Sequence, residues 1–333
     1  MSDGDLHSRD APVYPDWPLF GLTDDVRETL AQEMAAGRSS ALVTLIRTDG
    51  GSPRPPGAQM LVSDATLSGF LSGGCVEADV AAHARAALAD GGSRRLVYGE
   101  GSPWPDIRLL CGARIEMLVE PLAADDPAAR ALVALRSRRQ TAGWTTDGAQ
   151  RQCDPVTTTE VRPTIRLEEV PFRLHLTLPP QRRMVVVGGD PTALAVTQLA
   201  LAMGYETHLV RPRGPVTPPP GLAAHYWRGE AGAVLGEIGL DPWSFVAVAT
   251  HDTETDEAAL AAALPSPAPY VGVLGARRRL PERIARLGAL GVASGDLARL
   301  RGPIGLDLGG KSPFEIAVAV MAEATAVSHG REG

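Results

Sequence analysis

From residue 183 onward, short apolar strand-like runs alternate with longer helical ones, and this alternation leaves few folds open. Runs at 184–187, 207–210, 245–249 and 270–274 have strand length and strand composition. Stretches at 193–203, 256–264 and 281–290 repeat apolar residues at helical spacing. Strands that are apolar along their whole length need cover on both faces, so the pattern predicts a parallel sheet between helices over 183–328. A last helix begins at Ser312-Pro313-Phe314-Glu315, where a capping serine precedes proline at the first helical position and glutamate at the third, and it runs to about residue 327.

The first strand of this half passes through Val187-Gly188-Gly189-Asp190-Pro191-Thr192-Ala193 into a helix, which makes the half a Rossmann-like, doubly wound domain. In a dinucleotide-binding turn the first glycine permits the bend, the second lets a pyrophosphate approach the backbone, and the third position packs helix on strand. Gly188, Asp190 and Ala193 occupy those positions, and Asp190 sets a negative side chain where phosphates would come close. The next strand ends at Arg211, followed by Arg213, rather than at an acid for a ribose. That pair suits a phosphate, either the one that distinguishes NADP or one on another cofactor; two solvated arginines beside a proline-rich loop is the plainer reading. His251 and Asp252, Arg277 and Arg278, and Asp307 and Lys311 also fall beyond predicted strand ends, where ligands sit in open α/β sheets. The amides of the last helix start, with Lys311, form a candidate anion site. Loop-holding hydrogen bonds account equally well for His251 or Asp307 taken singly.

The N-terminal half reads differently. A helix is expected at 23–36, capped by Thr23 and stopped at Gly37, followed by a strand at 41–46. Gly50-Gly51-Ser52-Pro53-Arg54-Pro55-Pro56-Gly57 then excludes regular structure. Two strands, 59–62 and 67–71, flank a Ser63-Asp64 turn. Ser72-Gly73-Gly74-Cys75 leads into a helix at 76–89 with Val76, Val80, Ala84 and Leu88 in one stripe, and a strand at 114–120 closes an α+β unit over 20–122. Residues 1–19 are expected as a disordered tail and 123–182 as a connector holding a short helix and weak strand signals.

Three cysteines lie far apart without metal-type spacing, which fits neither a disulfide framework nor a zinc site. Cys75 is placed at a helix start, whose dipole favours the thiolate, the useful nucleophile and soft-metal ligand. Cys111 precedes a glycine and a strand. For both, the alternative is a buried small hydrophobe; Cys153, in the polar connector, is read as incidental. A chain of 333 residues exceeds the usual single core of at most about 250–300 residues, so two domains are expected. A formal charge of −7 speaks against a general affinity for nucleic acid or anionic membrane. The N-terminus carries no signal-peptide pattern, and no apolar run reaches the ~20 residues that span a bilayer, so a cytoplasmic protein is expected. Apolar helix surface makes a homodimer the expected assembly.

Several motifs together, Ser52-Pro53-Arg54-Pro55-Pro56-Gly57, Ser72-Gly73-Gly74-Cys75-Val76-Glu77, Cys111-Gly112, Thr250-His251-Asp252, Gly272-Val273-Leu274-Gly275-Ala276-Arg277-Arg278 and the run from Gly305 through Asp307, Lys311 and Glu315 to Ala317, resemble in order the XdhC/CoxI family of xanthine dehydrogenase and CO dehydrogenase accessory proteins. The resemblance covers residues 20–122 and 183–328. It implies an N-terminal α+β XdhC/CoxI-type domain followed by the Rossmann-like one. It also implies an accessory maturation chaperone rather than a turnover enzyme. Such a factor binds the molybdenum cofactor, as molybdopterin or its dinucleotide form, and protects it while a cysteine desulfurase helps add a sulfido ligand. It then delivers the cofactor to an apo molybdenum hydroxylase of the xanthine dehydrogenase type. On that basis Cys75 and Cys111 are the sulfur-side residues and candidate molybdenum contacts. Arg54, Gly57, Gly73, Gly74, Gly188, Gly189, Arg211, His251, Arg277, Arg278, Asp307 and Lys311 are the candidate cofactor-binding residues. The sequence departs from the family pattern at Asp190, Arg211 and Ala113, departures that weaken NAD(P) binding more than cofactor handling. Two other functions fit the same residues: an NADP-dependent oxidoreductase built on the glycine turn and Arg211, and a non-catalytic assembly protein whose crevice is vestigial.

Overall fold

The computed structural model describes residues 14–52, 54–100, 102, 109, 112–158 and 160–331. The chain divides into two compact units, one ending at Pro180 and the other beginning at Gln181.

The first unit contains α1 (Arg27–Ala35), β1 (Ser40–Asp49), β2 (Gln59–Val62), β3 (Leu67–Gly69), α2 (Glu77–Asp90), β4 (Arg94–Tyr98), β5 (Arg114–Leu122), α3 (Pro127–Ser137), β6 (Ala142–Thr146), β7 (Arg151–Pro155), β8 (Thr164–Glu169) and β9 (Phe172–Leu178). Five strands form an antiparallel sheet in the order β3-β2-β1-β5-β4. Alternate residues of β1 face opposite ways. Ala41, Val43 and Leu45 pack with Val80, Ala84 and Ala87 of α2, while Leu42 joins Leu30 of α1, Leu132 of α3 and Trp144 of β6. Cover on both faces is why β1 carries apolar residues on both of its faces between Ala41 and Ile46. The α2 stripe behaves as its spacing demands: Val76, Val80 and Ala84 are buried and Leu88 is partly so.

Of residues 123–182, expected as a connector, 123–180 are instead part of this unit, and 181–182 open the second. The sheet β7-β6-β9-β8 and α3 cover the face of β1 and β5 that α2 leaves free. Polar wiring joins the layers: Trp144 Nε1 and Thr146 Oγ1 donate to the fully buried Glu120 of β5 at 3.3 and 2.6 Å, and burial pushes the Glu120 carboxyl up from its ordinary range. Arg136 of α3 pairs with Asp25 at 3.0 Å. Two expectations about the N-terminal end are corrected. Thr23 does not cap α1, which starts after Val26 without a side-chain cap. Residues 14–22 are structured in part, with a 3-10 turn at Leu19–Leu22 and the Tyr14 and Phe20 rings edge to face at 5.5 Å, because Phe20 packs against the α2 side of the core. The remainder of the proposed tail, residues 1–13, lies outside the described residues.

The second unit contains β10 (Arg183–Gly188), α4 (Pro191–Ala202), β11 (Glu206–Val210), β12 (His225–Trp227), α5 (Ala231–Ile238), β13 (Ser244–Ala249), α6 (Thr253–Ala263), β14 (Tyr270–Val273), α7 (Leu280–Ala289), α8 (Ser294–Leu297), β15 (Leu300–Arg301) and α9 (Pro313–Ser328). Its six strands are all parallel, in the order β12-β11-β10-β13-β14-β15. Val185, Val187, Val246, Val248, Val271 and Val273 pack against α5, α6 and α7. Helix α4 lies against β10, β11 and β13 and packs with α9 on the opposite face, so the domain is doubly wound, as the alternation predicts. The order reverses between β10 and β13, which puts the carboxyl ends of these strands where such sheets hold ligands. Among the described residues, no helix is long and apolar enough to cross a membrane.

Candidate functional site

Cys75 sits at the tip of a loop that one buried side chain shapes. Glu77, at the first turn of α2 and fully buried, reaches back along the chain. Its Oε1 accepts from the amides of Leu71 and Ser72 at 3.1 and 2.7 Å, and its Oε2 from the Ser72 hydroxyl at 2.8 Å and the Val76 amide at 3.3 Å. With the loop base gathered on one carboxylate, the chain must turn outward through Gly73 and Gly74, whose φ of 105° and 92° belong to glycine. Gly73, Gly74 and Cys75 are all exposed. The structure therefore presents the Cys75 sulfur to solvent instead of packing it as a small hydrophobe. In the sequence Glu77 stands out only as the last residue of the Ser-Gly-Gly-Cys-Val-Glu motif. Its place two residues after the cysteine gives no sign that the side chain folds back on the loop.

The proline loop of the same unit places Arg54 half-buried, paired with Asp24 at 2.7 Å. Its Nε, and the Ser52 hydroxyl two residues earlier, are buried without a hydrogen-bond partner among the described residues. Unsatisfied buried donors are uncommon in folded proteins and leave this loop able to hold an acceptor-rich ligand. Gly57 has an internal reason to be glycine: it is buried at φ 93°, and a Cβ there would lie 3.2 Å from Pro163. Cys111 lies outside the described residues; the adjoining Gly112 has φ 69°. Cys153 is buried in the core shared by α1, α3, β1 and β6, and burial pushes its thiol up to about 12. It is a core residue of the first unit, and the strand that carries it offers no helix start or glycine turn to activate the thiol.

At the carboxyl edge of the second unit, Gly188, Gly189, Arg211 and His251 come together. A Cβ at Gly188 would lie 2.1 Å from the Ala249 carbonyl oxygen, and one at Gly189 would lie 2.4 Å from Arg211 Cδ, so the Arg211 side chain runs across the second glycine. Asp190 is the N-cap of α4. Its Oδ1 accepts from the Ala193 amide at 2.8 Å and its Oδ2 pairs with His251 Nε2 at 3.2 Å. Arg213 pairs with Asp252 at 3.1 Å, and the Thr255 hydroxyl bonded to Asp252 holds that carboxyl below its usual value. The fold family implies a dinucleotide in this crevice, and the residues do not fit one: the helix-start amide that would meet a phosphate already serves a carboxylate of the same charge.

The start of α9 is filled in the same way. Glu315 Oε2 accepts from the Lys311 and Ser312 amides at 3.1 and 2.9 Å, and Ser312 Oγ accepts from the Glu315 amide, completing the capping box that the sequence predicts. The Ser312 amide hydrogen bond is the largest cause holding the Glu315 carboxyl below its ordinary range. This corrects the expectation that these amides and Lys311 make an anion site: the anion is Glu315. Arg277 and Asp307 line one cleft, while Arg278 and Lys311 are exposed outside its lining. Sequence reasoning missed Glu323 of α9, six per cent exposed, which accepts from the Tyr270 hydroxyl and the Gly305 amide, each at 2.8 Å. Partners 53 and 18 residues away in the chain leave no local pattern by which to find it.

Comparison with known proteins agrees with this layout. The profile described as the XdhC Rossmann domain matches residues 184–324, and that of the XdhC and CoxI family matches residues 34–99. The chain is similar to the molybdenum cofactor insertion chaperone PaoD of Escherichia coli, 31% identical over 310 residues, which are 92% of this chain and 90% of that protein. It is also similar to the uncharacterized protein YqeB of Escherichia coli, 28% identical over 155 residues, 45% of this chain and 28% of that one. A crystal structure from Bacillus halodurans described as a xanthine dehydrogenase shares the fold, with a TM-score of 0.68 at 22% identity over 93% of this chain and 97% of that one. The chain thus belongs to the XdhC and CoxI family, with an XdhC Rossmann domain as its C-terminal half.

Proposed function

We propose that this protein binds the molybdenum cofactor and delivers it to an apo molybdenum hydroxylase of the xanthine dehydrogenase type, with Cys75 acting on the sulfur side of the cargo. The observation that carries the reading is the exposed Cys75 sulfur on a glycine loop whose base is locked by Glu77. A thiol on a preformed turn reaches a soft metal or a sulfur donor without first unpacking from a core. The likeness to PaoD, a molybdenum cofactor insertion chaperone, supports the same reading across nearly the whole chain. The buried Ser52 hydroxyl and Arg54 Nε, without a hydrogen-bond partner among the described residues, supply donors for the oxygen-rich part of the cargo. Cys111 is the second sulfur-side candidate, and a cysteine desulfurase is the partner that such a step calls for.

In this account Arg54 binds, Cys75 contacts the metal or its sulfur, and Glu77 keeps the loop that presents Cys75 from collapsing inward. No step uses NAD(P). The protein works in the cytoplasm, as a homodimer. The test compares the wild-type chain with Cys75→Ala, both purified with their cargo. Oxidised, fluorescent pterin should be released from the wild type, and Cys75→Ala should lose most of its ability to activate the client hydroxylase while melting at the wild-type temperature. Wild-type protein carrying no pterin, together with full client activity in a strain lacking the gene, overturns the proposal.

A further inference from the structure

Beyond the end of β14 the second unit opens into a cleft of about 930 Å3, a size suited to a small organic ligand. Residues 302–310 form one wall, and the backbone just before Asp307 is tied down at 304–306. The Ile304 amide donates to Val273 O at 3.0 Å, the Gly305 amide to Glu323 Oε2 at 2.8 Å, and the Leu306 amide to Ala319 O at 3.2 Å. Gly305 lies so close to α9 that a Cβ would meet Val320 N at 2.8 Å. A wall held this way presents Asp307 as an exposed carboxylate in a fixed place, with no side-chain partner among the described residues. Arg277, on the turn after β14, lines the same cleft and is likewise exposed and unpaired among the described residues. Through Leu308, Gly309 and Gly310 the cleft adjoins an apolar recess of about 470 Å3, where Leu308, Phe314 and Val318 are each at least half exposed.

These three features call for three properties in one ligand. A carboxylate is an acceptor only, so it pairs best with an edge that offers two adjacent N–H groups. A free guanidinium matches a phosphate, and exposed apolar side chains beside both suit the face of a flat ring. We propose that this cleft binds a planar heterocycle with a 2-amino-pyrimidin-4-one edge and a phosphate tail, Asp307 taking the N–H edge, Arg277 the phosphate, and the Leu308, Phe314 and Val318 recess the ring. Pterins and guanine share that edge; choosing the pterin rests on the cofactor-handling function proposed above. The adjacent helix start gives the phosphate no rival seat, because Glu315 occupies its amides.

Titration calorimetry on the full chain tests this with neopterin, neopterin monophosphate, GMP and AMP. Neopterin monophosphate or GMP should bind about ten-fold or more tighter than AMP, whose edge alternates donor and acceptor. Asp307→Asn should erase that preference, and Arg277→Ala should weaken the phosphorylated ligands by about ten-fold while leaving neopterin within about two-fold. A preference for the pterin phosphate assigns the cleft to the cargo and a preference for GMP assigns it to a guanine nucleotide; both support the edge recognition. Equal binding of AMP, no binding of any ligand at millimolar concentration, or wild-type binding by a normally melting Asp307→Asn variant overturns it. Client activation that survives Asp307→Asn and is lost in Cys75→Ala would then remove the cleft site and leave the proposed function standing.

Discussion

Cys75 and Cys153 show how far a residue's chemistry is set by its surroundings rather than its type. The first stands on a glycine turn in solvent, and the second is walled into the core beside Trp144, where burial pushes the thiol up to about 12. Disulfide-exchange labelling of the native protein at pH 8 should therefore modify Cys75 quickly and Cys153 only once denaturant unfolds the first unit. Mass mapping of the labelled peptides checks this, and rapid native labelling of Cys153 would contradict it. The turn follows from the Gly-Gly-Cys string, because glycine alone enters its positive-φ positions without strain, while the exposure of the sulfur is a property of the folded loop. The carboxylate of Glu77 that shapes the turn was not legible, since nothing in the order of residues says whether a side chain at a helix start faces water or folds back on its own loop.

Elements with strong internal periodicity were read correctly and those held by their neighbours were not. Strand β2 and the parallel strands β10, β11, β13 and β14 fall close to their expected bounds, as do α2 and α9. The sequence gives only weak strand signals for β6 to β9, although β9 alternates Phe172, Leu174, Leu176 and Leu178, because β7 and β8 are polar edge strands that exist only by pairing. Edge strand β12 was missed for the same reason. It also brings His225 beside Glu206 and His208, with ligand atoms within 4.8 Å of one another. Hydrogen bonding argues against a metal there. Trp227 Nε1 donates to His208 Nδ1 at 2.9 Å, which assigns the His208 proton to Nε2, facing Glu206 Oε1 at 2.9 Å, and Arg183 already pairs with that carboxylate at 2.8 Å. Burial lowers the pKa of His208, and Arg183 and His225 add to the effect against the opposing pull of Glu206. The neutral imidazole is the folded form, so its contribution to stability is complete above the ordinary value of about 6.5 and is lost as pH falls through the lowered one. Thermal melts at pH 8 and pH 5 should show a larger acid loss for the wild type than for His208→Gln; equal losses would refute this assignment.

Across the whole molecule, the boundary at Pro180 matters more than the motifs that fall on either side of it. Val26, Leu30, Leu42 and Leu61 are covered by Leu132, Leu135, Trp144, Leu176 and Leu178, all beyond residue 122. Losing such cover forfeits roughly 1.5–3 kcal/mol for each large side chain returned to water, a large share of a typical domain's stability. A fragment of residues 20–122 should therefore fail to melt cooperatively, while one of residues 1–180 should do so, as circular dichroism on the two would show. A sharp, native-like transition in the shorter fragment would restore 123–180 to the status of a connector. By itself the sequence determined the two halves, the parallel sheet, the glycine turns and the capping box, because strand and helix periodicity and backbone sterics act over a few neighbouring residues. Only the tertiary structure decided that Asp190 caps α4 while pairing with His251, where Cys153 is buried, and that residues 123–180 complete a core. Each of those depends on side-chain direction or on partners distant in the chain, and composition and spacing carry neither.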